Sequence, residues 1–195
     1  MYKYIEDFNG LKLIEYKIYS DNRGHFEELY KASKYHKLPE MSQWNHSFSK
    51  KGVFRGMHFQ WNPFMGKLVT CLSGSIYDAV IDIRKDSPTY GDHCLVSLCE
   101  EDGTSLWVPP GFAHGFFATE DSNVIYGCSG EYNGHCEAGI SYKIISETLL
   151  SSIDVLFHCD YACDDFLMTD KDRNAQSLEE WEKNPDSNVF TYEEV

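Results

Sequence analysis

Tyr77-Asp78-Ala79-Val80-Ile81-Asp82-Ile83-Arg84 sets apolar residues at every odd position and mostly polar ones at the even positions. That period of two is what a β-strand with one covered face requires, because successive side chains leave the pleat on opposite sides. Outward from it, between Phe54 and Val124, short apolar segments alternate with Gly, Pro, Asp and Ser, the pattern of an all-β domain. Lys85 to Gly91 reads as a loop, His93 to Leu98 as a returning strand, and Glu100-Glu101-Asp102-Gly103 as a hairpin turn. Leu106-Trp107-Val108 runs into Pro109-Pro110-Gly111, which forces a rigid bend before Phe112 to Phe117 resumes. Val124-Ile125-Tyr126 is a further short strand, and Tyr132 and Glu137 follow in a polar segment.

Upstream, Gly10 to Tyr19 reads as one strand, Ser20 to Gly24 as a turn and Phe26 to Tyr30 as another strand. Lys31 to Glu40 is polar and irregular, with room for one short helix. Downstream the pattern weakens until Ser177, an N-cap with Glu180 three places on, opens a helix over Leu178 to Lys183. The end, Tyr192 to Val195, reads as frayed. With no repeat, linker or low-complexity tract, residues 1–195 are expected to form one domain, 175–195 being a peripheral helix and acidic tail.

Thirteen Tyr, twelve Phe and four Trp favour strands, and 42% hydrophobic content allows a good core. Seventeen basic against 31 acidic residues give a net charge of −14, which repels nucleic acid and anionic membranes. An anionic ligand must therefore be held by a local cluster of cations. The first residues, Met1 to Glu6, lack the apolar run of a signal peptide and no later stretch is long enough to span a bilayer, so a cytoplasmic protein is expected. Seven cysteines (71, 94, 99, 128, 136, 159, 163), odd in number and without a CxxC pair, read as reduced core residues and not as a zinc site.

The chemistry gathers in Phe54-Arg55-Gly56-Met57-His58-Phe59-Gln60, with Lys67 soon after. An imidazole and two fixed cations on half-buried segments suit proton transfer. Arg55 and His58 are three apart and would point to opposite faces of a regular strand; a bulge at Gly56 would bring both to one cavity. Taken alone, His58 equally fits a satisfied core histidine. Arg23 and Glu28 flank the first turn, and Gln43-Trp44-Asn45 sets amides beside a large ring, apt for a flat polar ligand or for a strand end.

The segments Phe54-Arg-Gly-Met-His-Phe-Gln60, Gly66-Lys-Leu-Val69, Tyr77 to Arg84, Ser87-Pro-Thr-Tyr-Gly91, Leu106-Trp-Val-Pro-Pro-Gly-Phe-Ala-His-Gly-Phe116 and Lys171-Asp172 resemble the dTDP-4-dehydrorhamnose 3,5-epimerase family, in unbroken order over roughly residues 10 to 175. The resemblance implies a cupin-type jelly roll or β-barrel with a few short peripheral helices, and a homodimer with no metal or organic cofactor. It also implies inversion at C3 and C5 of a nucleoside-diphosphate-linked 4-keto-6-deoxy sugar, in deoxysugar biosynthesis for surface polysaccharide. Such a reaction needs a base on one face of the sugar, a donor at the enolate oxygen and an acid on the other face.

By the same resemblance His58 is the base, Asp172 its carboxylate partner, Lys67 the donor at the enolate oxygen and Tyr126 the acid. Tyr132 matches the ring stacked on the nucleotide base, and Gln43 and Asn45 the segment that contacts the nucleotide. Arg23, Glu28, Arg55, His114, Glu137 and Lys171 match positions holding sugar or diphosphate, Arg23 and Glu28 reaching over from a partner subunit through a swapped N-terminal strand. Trp44, Gly127 and the stretch from Gly130 to Cys136 depart from the family pattern and leave the nucleotide and sugar open. The alternatives are a 3-epimerase on a GDP- or CDP-linked sugar, a binding protein that has lost catalysis, and a metal-dependent cupin dioxygenase. The last lacks a second His two places after His58.

Overall fold

A computed structural model describes residues 2–4, 8, 10–157 and 166–192. Thirteen strands dominate it: β1 Tyr2–Tyr4, β2 Lys12–Glu15, β3 Ile18–Asp21, β4 Gly24–Glu27, β5 Gln43–Ser49, β6 Phe54–Gln60, β7 Lys67–Ser73, β8 Ser75–Asp82, β9 His93–Cys99, β10 Thr104–Val108, β11 Phe112–Ala118, β12 Ser122–Cys128 and β13 Glu137–Gly139. Three helices follow, α1 Ser146–Phe157, α2 Asp170–Arg173 and α3 Leu178–Lys183. The strands pair antiparallel in a six-stranded sheet, β1-β2-β10-β7-β12-β5, a five-stranded sheet, β13-β6-β11-β8-β9, and a separate hairpin, β3-β4. The two large sheets form a cupin-type barrel, as the sequence leads one to expect.

Strand β8 shows both why the alternation is correct and why one covered face is not. Its odd residues Tyr77, Ala79 and Ile81 face a core shared with Tyr142, Ile145, Leu149, Phe166, Trp181 and Phe190. Its even residues Ile76 and Val80 face the barrel interior beside Val69, Leu106 and Val124. Because β8 lies between β11 and β9 with its even face turned into the barrel, the polar positions Asp78 and Asp82 are both 0% exposed, while α1, α3 and the C-terminal segment cover the odd face. A buried carboxylate needs donors. Asp82 takes Arg84 Nε at 2.9 Å, Arg84 Nη2 at 2.7 Å, Ser87 Oγ at 2.6 Å and Thr89 Oγ1 at 2.7 Å. The Arg84 guanidinium in turn stacks on Phe112 and Tyr192. Tyr192, read from sequence as frayed, is therefore anchored, and its N–H donates to Lys85 O. Residues 193–195 lie outside the described residues.

Other expectations shift in detail. The strand expected over Gly10 to Tyr19 breaks at Tyr16, whose N–H turns aside to Gly103 O, so β2 joins the large sheet while β3 pairs only with β4. Lys31 to Glu40 holds turns instead of a helix, and its Tyr35 and Leu38 pack with Met41, Ile14, Leu68 and Trp107 on the outer face of the six-stranded sheet. Helix α1 has no counterpart in the sequence reading. Ser177 caps α3 in a full capping box with Glu180, and Trp181 carries that helix into the core against Phe59 and Trp61. Cys71, Cys94, Cys99, Cys128 and Cys136 are free, Cys71 and Cys128 being buried; Cys159 and Cys163 lie outside the described residues.

Candidate active site

A cavity of about 550 Å³ opens between the two sheets. All the candidate catalytic and binding side chains line it except Arg23 and Glu28. Strand β6 reaches it through a bulge: His58 faces His114 on β11 but Arg55 faces Phe116, so β6 carries one residue more than its partner. Gly56, at φ +131°, makes this possible, because a Cβ there would stand 2.5 Å from Gly115 Cα. Arg55 and His58 consequently share the cavity despite their spacing. Arg55 also ties β6 to the edge strand β5, its Nε donating to Ser49 Oγ at 2.9 Å and its Nη2 to Phe48 O at 3.2 Å.

His58 Nε2 lies 2.6 Å from Asp172 Oδ1, with the carboxylate side chain 5% exposed and the imidazole 34%. Burial works against the ionised Asp172, yet hydrogen bonds from His58, Thr169 and the Gly56 backbone outweigh it and hold the carboxyl below its usual value. Asp172 stands on the one-turn helix α2, capped by Thr169, whose Oγ1 accepts from Asp172 N at 3.3 Å. Nε2 is thus committed to the carboxylate, and among the described residues Nδ1 of His58 has no hydrogen-bond partner, which leaves it open to take a proton.

Facing it on β12, the phenol oxygen of Tyr126 has no hydrogen-bond partner among the described residues. Burial, with Cys128 adding to it, pushes its pKa up, so Tyr126 is a protonated acid at neutral pH. Lys67 Nζ on β7 donates to His58 O at 3.2 Å and lies 3.5 Å from His114 Nδ1. Burial pulls the Lys67 ammonium below its ordinary value, against the opposing pull of Cys128, Asp78 and Glu137.

At the mouth, Gln43 Oε1 accepts from Tyr132 N at 2.8 Å and Gln43 Nε2 donates to Asn45 Oδ1 at 2.9 Å. Glu137 Oε1 accepts from the Tyr132 hydroxyl at 3.1 Å and from Lys171 Nζ. Tyr132 remains 61% exposed, a free ring face over the opening. The Gly130 to Cys136 stretch is pinned by Gln60, 2% exposed, which donates to Pro63 O and Glu131 O and accepts from Asn133 N.

Trp44 and Gly127 turn out to be one feature. They are cross-strand partners, and a Cβ on Gly127 would meet the Trp44 ring at 3.1 Å and Met41 at 3.0 Å. On β5 the residues Gln43, Asn45 and Ser47 face the cavity while Trp44, His46 and Phe48 face outward, so Trp44 covers the glycine from outside and does not line the cavity.

Arg23 and Glu28 sit elsewhere in this chain. Arg23 is 84% exposed and paired with Asp21 at 2.6 Å, and Glu28 is paired with Lys34. They flank β4, on a hairpin that also exposes Tyr19 and Phe26. Sequence reasoning passed over five cavity residues or supports: Ser47, Gln60, Asp78, Cys128 and Thr169. Only Asp78 carries a signal, an acidic residue at an even position of the alternating stretch, and the alternation alone puts it on the solvent side. Among the described residues no three His, Cys, Asp or Glu side chains group as metal ligands, so the donor set a metal-dependent cupin needs is missing there.

The dTDP-4-dehydrorhamnose 3,5-epimerase family model matches residues 6–180. A dTDP-4-dehydrorhamnose 3,5-epimerase of Shigella flexneri is 36% identical over 172 residues, 85% of this chain and 90% of that protein. The dTDP-6-deoxy-D-glucose-3,5-epimerase of Legionella pneumophila, solved in complex with dTDP-4-keto-L-rhamnose, superposes with a TM-score of 0.78 at 33% identity, covering 94% of each chain. A 3'-monoepimerase of Streptomyces bikiniensis, solved with dTDP-quinovose, gives 0.77 at 26% identity over 95% of this chain and 91% of that one. Sequence pattern and barrel agree over nearly the whole length: the chain belongs to the dTDP-4-dehydrorhamnose 3,5-epimerase family.

Proposed function

We propose that this protein is a single-domain isomerase that inverts C3 and C5 of a dTDP-linked 4-keto-6-deoxy sugar in deoxysugar biosynthesis. The observation that carries the reading is the pairing, in one cavity, of a carboxylate-held imidazole on one sheet with a phenol on the other that has no hydrogen-bond partner among the described residues. The C4 carbonyl acidifies the hydrogens on its neighbours. His58 Nδ1 takes one of them, Asp172 steadies the resulting imidazolium, and Lys67 donates a hydrogen bond to the enolate oxygen. Tyr126 then gives its proton to the opposite face of the carbon, which inverts the centre. No electron leaves the sugar, so the residues suffice without a redox cofactor.

Arg55 and Lys171 supply cations for the diphosphate against a net charge of −14, and the open face of Tyr132 with the Gln43–Asn45 amides supplies a seat for the nucleobase. Arg23 and Glu28 complete the site from a second copy, since the hairpin that bears them leaves them outside their own cavity. A homodimer with exchanged arms is the arrangement this favours. Inversion at C3 alone is the second reading, favoured by the similarity to the 3'-monoepimerase. Incubation with dTDP- and GDP-linked 4-keto-6-deoxy sugars in deuterated water, followed by NMR, tests both. Label at C3 and C5 of the dTDP sugar supports the first, label at C3 alone the second, and no label on either sugar overturns both.

A further inference from the structure

The cavity holds a second imidazole–carboxylate pair that the reaction above does not use. Asp78, 0% exposed on β8, lies 3.0 Å through Oδ2 from His114 Nε2 on β11. His114 is its sole hydrogen-bond donor among the described residues, and the other carboxylate oxygen, Oδ1, faces the same Nε2 at 2.9 Å with no donor of its own. A buried carboxyl group served by a single donor is costly, so its position calls for a purpose. On the far side of the same ring, Nδ1 lies 3.5 Å from the Lys67 ammonium. An ammonium has only hydrogens to offer, so Nδ1 must present a lone pair, and the ring's single proton must then sit on Nε2, facing Asp78.

We infer that Asp78 is a positioning residue: by accepting Nε2–H it fixes the neutral tautomer of His114, whose Nδ1 steers Lys67 towards the enolate oxygen. Lys67 is then held by two acceptors, His58 O and His114 Nδ1, and its third N–H remains for the substrate. The inference rests on the epimerase reading of the site. The charge arrangement is consistent with it: burial lowers the His114 pKa, Asp78 opposes that, and Lys67 and His58 lower it further, which keeps the ring neutral. Protonated on both nitrogens, His114 would repel the lysine. The ionisable groups facing Lys67 from the packed strands are Asp78, His58, His114, Cys128 and Glu137, and of the carboxylates Asp78 is the more buried.

Two measurements on the whole protein test this. The first is the ¹⁵N shifts of His114 in the wild-type protein near neutral pH, which report the tautomer whether or not the sugar assignment holds. The expected result is Nε2–H; Nδ1–H, or a doubly protonated ring, overturns the inference. The second is Asp78→Asn, whose amide can face the ring with either end and so releases the tautomer. Deuterium exchange into the keto sugar should lose on the order of 100-fold in kcat, the effect of misplacing one oxyanion donor, with KM little changed. The alkaline limb of the pH profile should also move to lower pH, because a negative neighbour of Lys67 is gone. A folded Asp78→Asn variant with wild-type kcat and an unmoved alkaline limb contradicts the inference. If it does not fold, the tautomer in the wild-type protein decides. Wild-type protein that exchanges no proton overturns the functional reading instead, and the tautomer still reports on the Asp78–His114 pair.

Discussion

Asp172 Oδ1 stands 2.6 Å from His58 Nε2, and through that bond the one-turn helix α2 dictates which nitrogen of a residue on β6 is free. Asp172→Asn keeps the shape but permits the wrong tautomer. Proton exchange at the keto sugar should fall by about 10³ to 10⁴-fold with the circular dichroism spectrum unchanged, as for other carboxylates that orient a basic imidazole. A variant that keeps most of its activity would show that the imidazole does not depend on this partner.

Tyr126→Phe separates the two halves of the reaction. The base is untouched, so solvent deuterium should still enter the substrate. Return of a proton to the opposite face should slow by about 10²-fold or more, the usual worth of a positioned acid. Equal rates of epimer formation in the variant and wild type would place the acid on another residue.

The Trp44–Gly127 pair predicts non-additive stability. Gly127→Lys should cost about 1–3 kcal/mol by driving a Cβ against the indole, and Trp44→Ala in the same chain should remove much of that cost. Urea unfolding of the two single variants and the double one checks it. Additive losses would mean that the ring moves aside freely.

Asp82 should hold its charge to lower pH than most surface carboxylates. Burial disfavours its charge, but Arg84, Ser87 and Thr89 more than compensate, and the folded pKa lies below the ordinary one. The group therefore contributes stability above its unfolded pKa of about 3.9, and that contribution fades as pH falls through the lower folded value. Asp82→Ala, which takes a carboxylate away from Arg84 at 2% exposure, should cost about 3–5 kcal/mol at neutral pH and flatten the acid limb of the stability curve. Denaturant melts between pH 7 and pH 3 supply the comparison.

Exchanged arms can be seen by complementation. Arg23→Ala and His58→Asn homodimers should each be impaired, but mixing and re-forming dimers should restore activity, because one cavity of the mixed dimer has both residues intact. No recovery in demonstrably mixed dimers would mean that each hairpin serves its own chain or none.

The architecture was legible because barrel strands carry their signal locally. Tyr77 to Arg84 alternates, Pro109-Pro110-Gly111 bends the chain, and Ser177 with Glu180 caps a helix within four residues. What covers a strand is not local: the alternation in β8 marks Asp78 and Asp82 as solvated, and only closure of the two sheets turns their face into the barrel interior, while α1, α3 and the C-terminal segment cover the other face. Trp44 and Gly127 read as two unrelated departures for the same reason: they are 83 residues apart in sequence and meet only through the β5–β12 register. The cavity residues were recovered mainly through the family resemblance, since Arg55 and His58 share a face only because of the bulge at Gly56. Helix α1 left little trace, its buried Leu149 depending on contacts with Tyr77 and Phe166 regions far along the chain.

The central claim is that His58 is the base. It is tested most directly by proton NMR of dTDP-4-keto-6-deoxy sugar in deuterated water with wild-type protein and with His58→Asn, alongside calorimetric binding of dTDP to both. The account predicts deuterium entering beside the carbonyl with the wild type and none with His58→Asn, at similar dTDP affinity. Deuterium uptake by His58→Asn at the wild-type rate would contradict it.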